Sequence, residues 1–165
     1  MEFLDRISVR SPLHLVIAVV FCLVVGSLGS VFTVTGAGSW YGSLSKPFFT
    51  PPNWVFAPVW ITLFILMGIA LYLVWEAGID RREVRVALAV FGVQFILNVL
   101  WSFLFFGLQS PWLGLIDIVL LWIMIAAMIV LFSRISRVAA CLLIPYICWV
   151  TIAGALNAGV YLLNP

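Results

Sequence analysis

The stretch VALAVFGVQFILNVLWSFLFFGL, residues 86 to 108, decides the fold. It runs for 23 residues without a charged side chain, and about 20 apolar residues are enough for a helix to cross the hydrocarbon core of a bilayer. Polar side chains recur in it at every fourth position, at Gln94, Asn98 and Ser102, and Trp101 lies beside them. Because positions i and i+4 share one helical face, the stretch predicts a transmembrane helix with one face turned toward protein.

Four further apolar runs flank this one over residues 13–34, 55–75, 112–132 and 138–163, and Asp117 is the one Asp, Glu, Lys or Arg residue in them. Hydrophobic residues make up 65% of the chain and charged residues 8%, against roughly a quarter charged in soluble domains. The first run is longer than the apolar core of a signal peptide, so we interpret it as a true span. The sequence therefore predicts an all-α membrane protein, a five-transmembrane-helix bundle that forms one domain over residues 1–165.

The basic residues are distributed unequally between the two sides that five crossings create. One side carries only Lys46, and the other carries Arg6, Arg10, Arg81, Arg82, Arg85, Arg134 and Arg137. The positive-inside rule then places the N-terminus in the cytoplasm, with the C-terminus and the loop of residues 36–54 outside. We expect a multi-pass protein of the plasma membrane. The net charge of +2 is too small to favour nucleic acid as a partner.

Counting residues from the ends of the predicted helices places several polar and aromatic side chains at similar depth in the outer half of the bundle. They are Trp60, Asn98, Trp101, Asp117 and Asn157. A carboxylate within a span costs about 2.5 to 3.5 kcal/mol on insertion scales, so Asp117 should face protein or water. We expect it to accept hydrogen bonds from neighbouring helices. The set predicts an outward-facing pocket for a planar, mostly apolar ligand, although such residues also join helices without any ligand.

The loop segment WYGSLSKPFFTPPNWVF, residues 40 to 56, would cover this pocket. Prolines fix φ and remove hydrogen-bond donors, so the PFFTPP part can lie as a stiff extended lid with its aromatic rings turned toward the bundle. Lys46, at the rim, could meet a ligand's carboxylates, or it could be solvated or extend to lipid headgroups.

Three other features lead to narrower expectations. Cys22, Cys141 and Cys148 lie in apolar runs away from His14, so no metal site is predicted. Pro145 should bend the fifth helix. Small residues at every fourth position of the first span, Ala18, Cys22, Gly26 and Ser30, could hold the bundle together or form a dimer interface.

The segments WYGSLSKPFFTPPNWVFAPVW, LNVLWSFLFFG, the span with Asp117, and PYICWVTIAGALN occur in an order that resembles the TspO/MBR family of tryptophan-rich sensory and translocator proteins. The similarity covers residues 40 to 157. The family implies a five-helix bundle, commonly a homodimer, that binds porphyrins such as protoporphyrin IX or haem in a cavity closed by the first loop. It implies no required cofactor.

Carried over from the family, the ligand-binding residues would come from the loop and from four helices. They are Tyr41, Pro51, Pro52, Trp54, Trp60, Asn98, Trp101, Asp117, Trp149, Ala153, Leu156 and Asn157, with Lys46 at the rim. This sequence departs from the family's pattern in two places. Phe48 and Phe49 stand where many members have tryptophan, and the absence of Lys or Arg after Tyr161 leaves the family's proposed sterol motif incomplete, which counts against sterol binding.

Three functions remain open at this point. The resemblance favours a receptor or carrier for porphyrin-type tetrapyrroles, with a regulatory or transport role. It also raises a light- and oxygen-dependent enzyme that degrades porphyrin, with Trp149 and Trp60 as redox-capable walls; no acid–base or metal constellation in the sequence supports ordinary catalysis. The third alternative is a structural or partner-binding membrane subunit without a ligand.

Overall fold

A computed structural model describes residues 11–36 and 38–165. Arg6 and Arg10, which enter the predicted orientation, and Ala37 of the loop lie outside the described residues. Five helices are long and apolar enough to cross a membrane: Pro12–Val31, Asn53–Trp75, Arg82–Gly107, Pro111–Ser133 and Arg137–Leu163. The described residues contain no strand. The all-α fold with five membrane spans is confirmed.

The helices are numbered in chain order. They are α1 (Pro12–Ser27), the short α2 in the first loop (Trp40–Ser43), α3 (Phe56–Trp75), α4 (Arg82–Ser102), α5 (Pro111–Ser133), α6 (Arg137–Leu142) and α7 (Ile144–Leu163). A 3-10 turn, Leu28–Val31, extends α1, and another, Asn53–Val55, leads into α3. We call the end of the bundle that carries residues 36–54 the loop end, and the opposite end the arginine end.

Serine side chains fix where several helices begin. Ser11, Ser110 and Ser136 each accept a hydrogen bond from the backbone N–H three residues further on. Such caps satisfy N–H groups that a helix leaves without partners. Pro12 and Pro111 follow two of the caps, at the position where a helix tolerates proline best.

The fifth span is interrupted near Pro145, as the sequence predicts. Helix α6 ends at Leu142, and α7 begins at Ile144. Proline has no N–H to donate to the carbonyl four residues earlier, here that of Cys141, and its ring clashes with that carbonyl. The bend therefore has a local cause.

Close backbone packing joins α1 to α3. A Cβ built at Gly68 would lie 2.5 Å from the Cα of Val19, so no side chain fits there. Ala18, Cys22 and Gly26 are buried, and the first three members of the small-residue stripe therefore pack inside the bundle, which favours the first of the two roles left open above. The dimer stays a prediction.

The spans surround one core, with neighbouring spans in the order first, second, fifth, fourth and third. Helix α3 packs on α6 near the arginine end, and α5 packs on both α4 and α7. Buried apolar side chains, among them Met67, Ile125 and Tyr146, fill the core between the spans. Toward the loop end the helices enclose a cavity.

Candidate functional site

A cavity of about 400 Å³ lies at the loop end of the bundle, within the range of small-molecule pockets, roughly 300 to 1,000 Å³. Its wall is formed by the end of α1, the loop, and the outer parts of α3, α4 and α7. Seven residues expected at the ligand site line it: Tyr41, Trp60, Asn98, Trp101, Ala153, Leu156 and Asn157.

Flat aromatic rings form much of this wall. Trp60 stacks on Phe64 with ring centroids 5.5 Å apart, and Trp101 stacks on Phe105 at 5.2 Å. Tyr41 meets Phe105 edge to face at 6.2 Å. These offset and edge-to-face arrangements are the ones aromatic quadrupoles favour, so the rings support one another as surfaces for a flat ligand.

A π-helical turn, Phe103–Gly107, presents part of this aromatic surface. The N–H of Leu108 donates to the carbonyl oxygen of Phe103 at 2.8 Å. The wider turn leaves Phe105 buried and lets it share the wall with Phe106. Single π turns inside α-helices are frequent at functional sites.

Two hydrogen-bonded chains hold the polar side chains of the wall. The indole N–H of Trp101 donates to Oδ1 of Asn157 at 3.0 Å, and Nδ2 of Asn157 donates to the carbonyl oxygen of Pro111 at 2.7 Å. These bonds tie α4, α5 and α7 together. Asn157 is therefore both a lining residue and an interhelical link.

The second chain lies deeper. Nδ2 of Asn98 donates to the hydroxyl of Tyr146 at 2.9 Å, and that hydroxyl donates to Oε1 of Gln94 at 2.9 Å. Gln94 is fully buried, and its Nε2 has no partner among the described residues. The periodic polar face of α4 thus faces protein, as its spacing predicts.

Asp117 and Trp149 lie behind the wall rather than in it. Asp117 is 3% exposed, and its Oδ2 is buried without a hydrogen-bond partner among residues 11–36 and 38–165. The sequence predicts a carboxylate that accepts hydrogen bonds from neighbouring helices, and for Oδ2 this prediction is wrong. The ring of Trp149 lies edge to face against Phe56, with centroids 5.6 Å apart, and it is Phe56 that lines the cavity.

The loop contributes Tyr41 to the cavity, but its central aromatic residues turn away from it. Phe48 is 100% exposed and Trp54 is 73% exposed. Pro51 and Pro52 also lie outside the wall. Trp54 stands just before α3, where an indole suits the membrane interface. The expectation that the aromatic rings of the PFFTPP segment turn toward the bundle is therefore wrong for Phe48.

Lys46 lies beside Tyr41 at the rim. Its Nζ is 4.6 Å from the centroid of the Tyr41 ring and donates to the carbonyl oxygen of Leu44 at 3.3 Å. Burial raises the pKa of the Tyr41 phenol above its ordinary value of 10.0. The phenol is therefore neutral at physiological pH, and none of the described residues that line the cavity carries a charge.

Residues of α1 and its 3-10 turn also line the cavity, which the sequence did not predict. Ser27, Ser30 and Thr33 line the cavity, and their hydroxyl groups donate to carbonyl oxygens within the same segment. Gly26 and Ser30 had a visible signal, the small-residue stripe, which by itself indicates helix packing. Space for a ligand beside a packed stripe depends on how the loop and α3 are placed.

The cavity is more open on one side. Ser27 on α1, Ser30 on the 3-10 turn that extends it, and Ala57 and Ile61 on α3 are exposed. By contrast, the lining residues of α7 are buried, or nearly so, namely Ala153, Leu156, Asn157 and Val160. The opening therefore lies between the end of α1 and the start of α3.

Comparison with known proteins gives one consistent result. The TspO/MBR family matches residues 18–163. A tryptophan-rich protein TspO of Chlorobaculum tepidum is 48% identical over 156 residues, 94% of this chain and 99% of the relative. The translocator protein of Bos taurus is 41% identical over 133 residues, 80% and 79% of the two chains.

A third relative, the tryptophan-rich sensory protein of Cereibacter sphaeroides, is 34% identical over 125 residues, 76% of this chain and 77% of the relative. The residues that match the family, 18–163, include the second to fifth spans in full and most of the first span. This chain is a multi-pass membrane protein that belongs to the TspO/MBR family.

Proposed function

We propose that this protein is a membrane receptor or carrier that binds porphyrin-type tetrapyrroles, or other planar and mostly apolar molecules, in the cavity at the loop end. The observation that carries the proposal is the uncharged wall with two stacked aromatic pairs, Trp60 with Phe64 and Trp101 with Phe105. Flat indole and phenyl faces suit a flat ligand, and a mostly apolar pocket with few polar groups suits its edges.

Polar groups at the two ends of the cavity would orient such a ligand. Asn98 lies at the inner end, where its amide is held by Tyr146. Lys46 lies at the rim beside Tyr41. A porphyrin of the protoporphyrin IX or haem type would place its propionates toward Lys46, because an ammonium group stabilises carboxylates and the inner wall has no cation.

A regulatory or transport role is proposed for the same site. The names of the relatives, translocator and sensory protein, support this class of function. We also propose a homodimer without a required cofactor, in the plasma membrane. The excess of arginine at one end of the bundle supports a cytoplasmic arginine end, with the cavity facing outward.

Degradation of bound porphyrin under light and oxygen is the alternative activity. Trp60 lines the cavity and could contact an excited ligand, whereas Trp149 would act through or beside Phe56. The described wall brings no carboxyl, imidazole or amine group into the cavity, so ordinary acid–base catalysis lacks a group there. Binding without dark turnover is therefore proposed as the general function.

The test is a titration of the purified protein with protoporphyrin IX, monitored by tryptophan fluorescence. It is made first on samples kept in darkness and then on samples exposed to light. We expect saturable quenching in darkness and no loss of porphyrin absorbance. Trp54→Phe is the matched control, because Trp54 is exposed and outside the wall. Absence of saturable quenching in both proteins would overturn the proposed function, and porphyrin loss in darkness would favour the enzyme.

A further inference from the structure

Asp117 is a buried carboxyl group with no part in the site described above. It lies on α5, and its Oδ2 has no hydrogen-bond partner among the described residues. The ion pairs formed by the described residues, His14 with Glu76 and Arg81 with Glu83, lie at the arginine end of the bundle. Asp117 takes part in neither of these ion pairs.

The titratable groups on the elements packed against α5 leave this carboxyl without a cation. Helix α4 carries Arg82, Glu83 and Arg85 at its arginine end, α6 carries Arg137 at its first residue together with the exposed Cys141, and α7 carries Tyr146, the exposed Cys148 and the exposed Tyr161. The π-helical turn, Phe103–Gly107, carries no titratable side chain. Of these groups, Tyr146 is the buried one, and its hydroxyl is hydrogen-bonded to Asn98 and Gln94.

An isolated carboxylate in such surroundings is strongly disfavoured. Removal of an unpaired charge from water costs far more than removal of a neutral carboxyl group, so a buried acid without a cation takes up a proton or binds a cation from solution. Ionisable groups within spans commonly mark proton or ion sites.

The face of α5 that carries Asp117 packs against residues of the cavity wall. Gly114, one turn nearer the loop end on the same helix, is so close to the wall that a Cβ built there would lie 2.9 Å from Oδ1 of Asn157 and 3.0 Å from Phe105. Asp117 shares this face of α5, because positions i and i+3 are neighbours on a helix. Asn157 and Phe105 both line the cavity.

We propose that Asp117 is a proton-binding site whose occupancy is linked to the ligand in the cavity. With the proton bound, the wall is neutral and tolerates an anionic ligand. Without it, a negative charge behind Asn157 repels the ligand's carboxylates. The coupling is reciprocal, so binding of an anionic ligand promotes proton uptake. The linkage rests on the proposed function, and the proton site does not.

The proton site is tested first without a ligand. Infrared spectra of the purified protein should contain a carbonyl band of a protonated carboxyl group that is lost as the pH rises. The band should be missing in Asp117→Asn and retained in Glu83→Gln, a control that removes an exposed carboxyl group. A band that persists in Asp117→Asn, or no titrating band in the wild type, would overturn the proposal.

The linkage is tested by porphyrin binding. The Kd for protoporphyrin IX should rise by up to about tenfold per pH unit above the pH at which the infrared band titrates, and Asp117→Asn should bind with little pH dependence. Octaethylporphyrin, which has no carboxylate, should show a weaker dependence in the wild type. An unchanged pH dependence in Asp117→Asn would overturn the linkage.

Two further measurements distinguish proton uptake at Asp117 from cation binding and from a failure of porphyrin binding. Calorimetry of the wild type in two buffers of different ionisation enthalpy should show proton uptake when protoporphyrin IX binds, and this result does not depend on the folding of a variant. If binding responds to sodium concentration at constant pH instead, the site holds a cation and the proposal is wrong. If neither porphyrin binds, the proposed function fails, and the infrared experiment alone decides the proton site.

Discussion

Pro47 of the loop packs so closely against Gly159 of α7 that a methyl group added at Gly159 would overlap the proline ring. The contact lies one turn before α7 ends at Leu163. Beyond it, Oδ1 of Asn164 accepts from the N–H of Ser45, and Nδ2 of Asn164 donates to the Ser45 carbonyl oxygen, each at 2.9 Å. We call these four residues, Ser45, Pro47, Gly159 and Asn164, the loop clasp.

The clasp predicts that Gly159→Ala opens the loop. The added methyl group must displace Pro47, and overpacking of this kind typically costs about 1 to 3 kcal/mol. We expect bound porphyrin to dissociate about tenfold faster or more, measured by recovery of tryptophan fluorescence after dilution.

Gly154→Ala is the control for this change. A Cβ at Gly154 would lie 3.9 Å from the nearest atom, Cγ2 of Ile118, which is ordinary contact. Both variants gain helix propensity, about 1 kcal/mol, so only the clash with the loop differs between them. Equal dissociation rates in the two variants would contradict a role for the clasp in retaining ligand.

A second prediction concerns Asn164 and requires no ligand. Asn164→Ala removes both hydrogen bonds to Ser45, each of which contributes about 0.5 to 1.5 kcal/mol. Protection of the Ser45 amide against hydrogen exchange should fall about tenfold. Asn164→Asp keeps the acceptor for the Ser45 N–H and should have a smaller effect, and no change in either variant would show that the loop is held by other contacts.

The spans and the polar face of α4 were predictable from the sequence, because the bilayer imposes length and apolarity on each span and helical periodicity groups Gln94 with Asn98. Depth counting also selected Trp60, Trp101 and Asn157, which do line the cavity. These residues share one property: their positions follow from one helix at a time.

Other features depend on packing between elements and could not be read in this way. Depth puts Asp117 level with the cavity but does not say that its side chain is buried outside the cavity wall. Likewise, aromatic composition does not reveal that Phe48 is fully exposed while the neighbouring Pro47 packs on Gly159. The π-helical turn that buries Phe105 also has no signature in the apolar run.

Topology is the third prediction. In a background without Cys22, Cys141 and Cys148, a cysteine at position 46 should react with a membrane-impermeant maleimide added to intact cells. A cysteine at position 82 should react only after the membrane is opened, because the arginine end is expected in the cytoplasm. The reverse pattern would place the cavity mouth in the cytoplasm.

The last prediction separates the two tryptophans that the sequence grouped as walls. Trp60 lines the cavity, whereas Trp149 lies behind Phe56. Loss of the larger ring in Trp60→Phe should weaken porphyrin binding by about 0.5 to 1.5 kcal/mol, or roughly two- to tenfold in Kd. Trp149→Phe should change the Kd by less than about threefold, because the Phe56 ring stays between position 149 and the ligand. Titrations of both variants beside Trp54→Phe decide the matter, and a greater loss in Trp149→Phe than in Trp60→Phe would mean that the bound ligand displaces Phe56 and reaches the deeper indole.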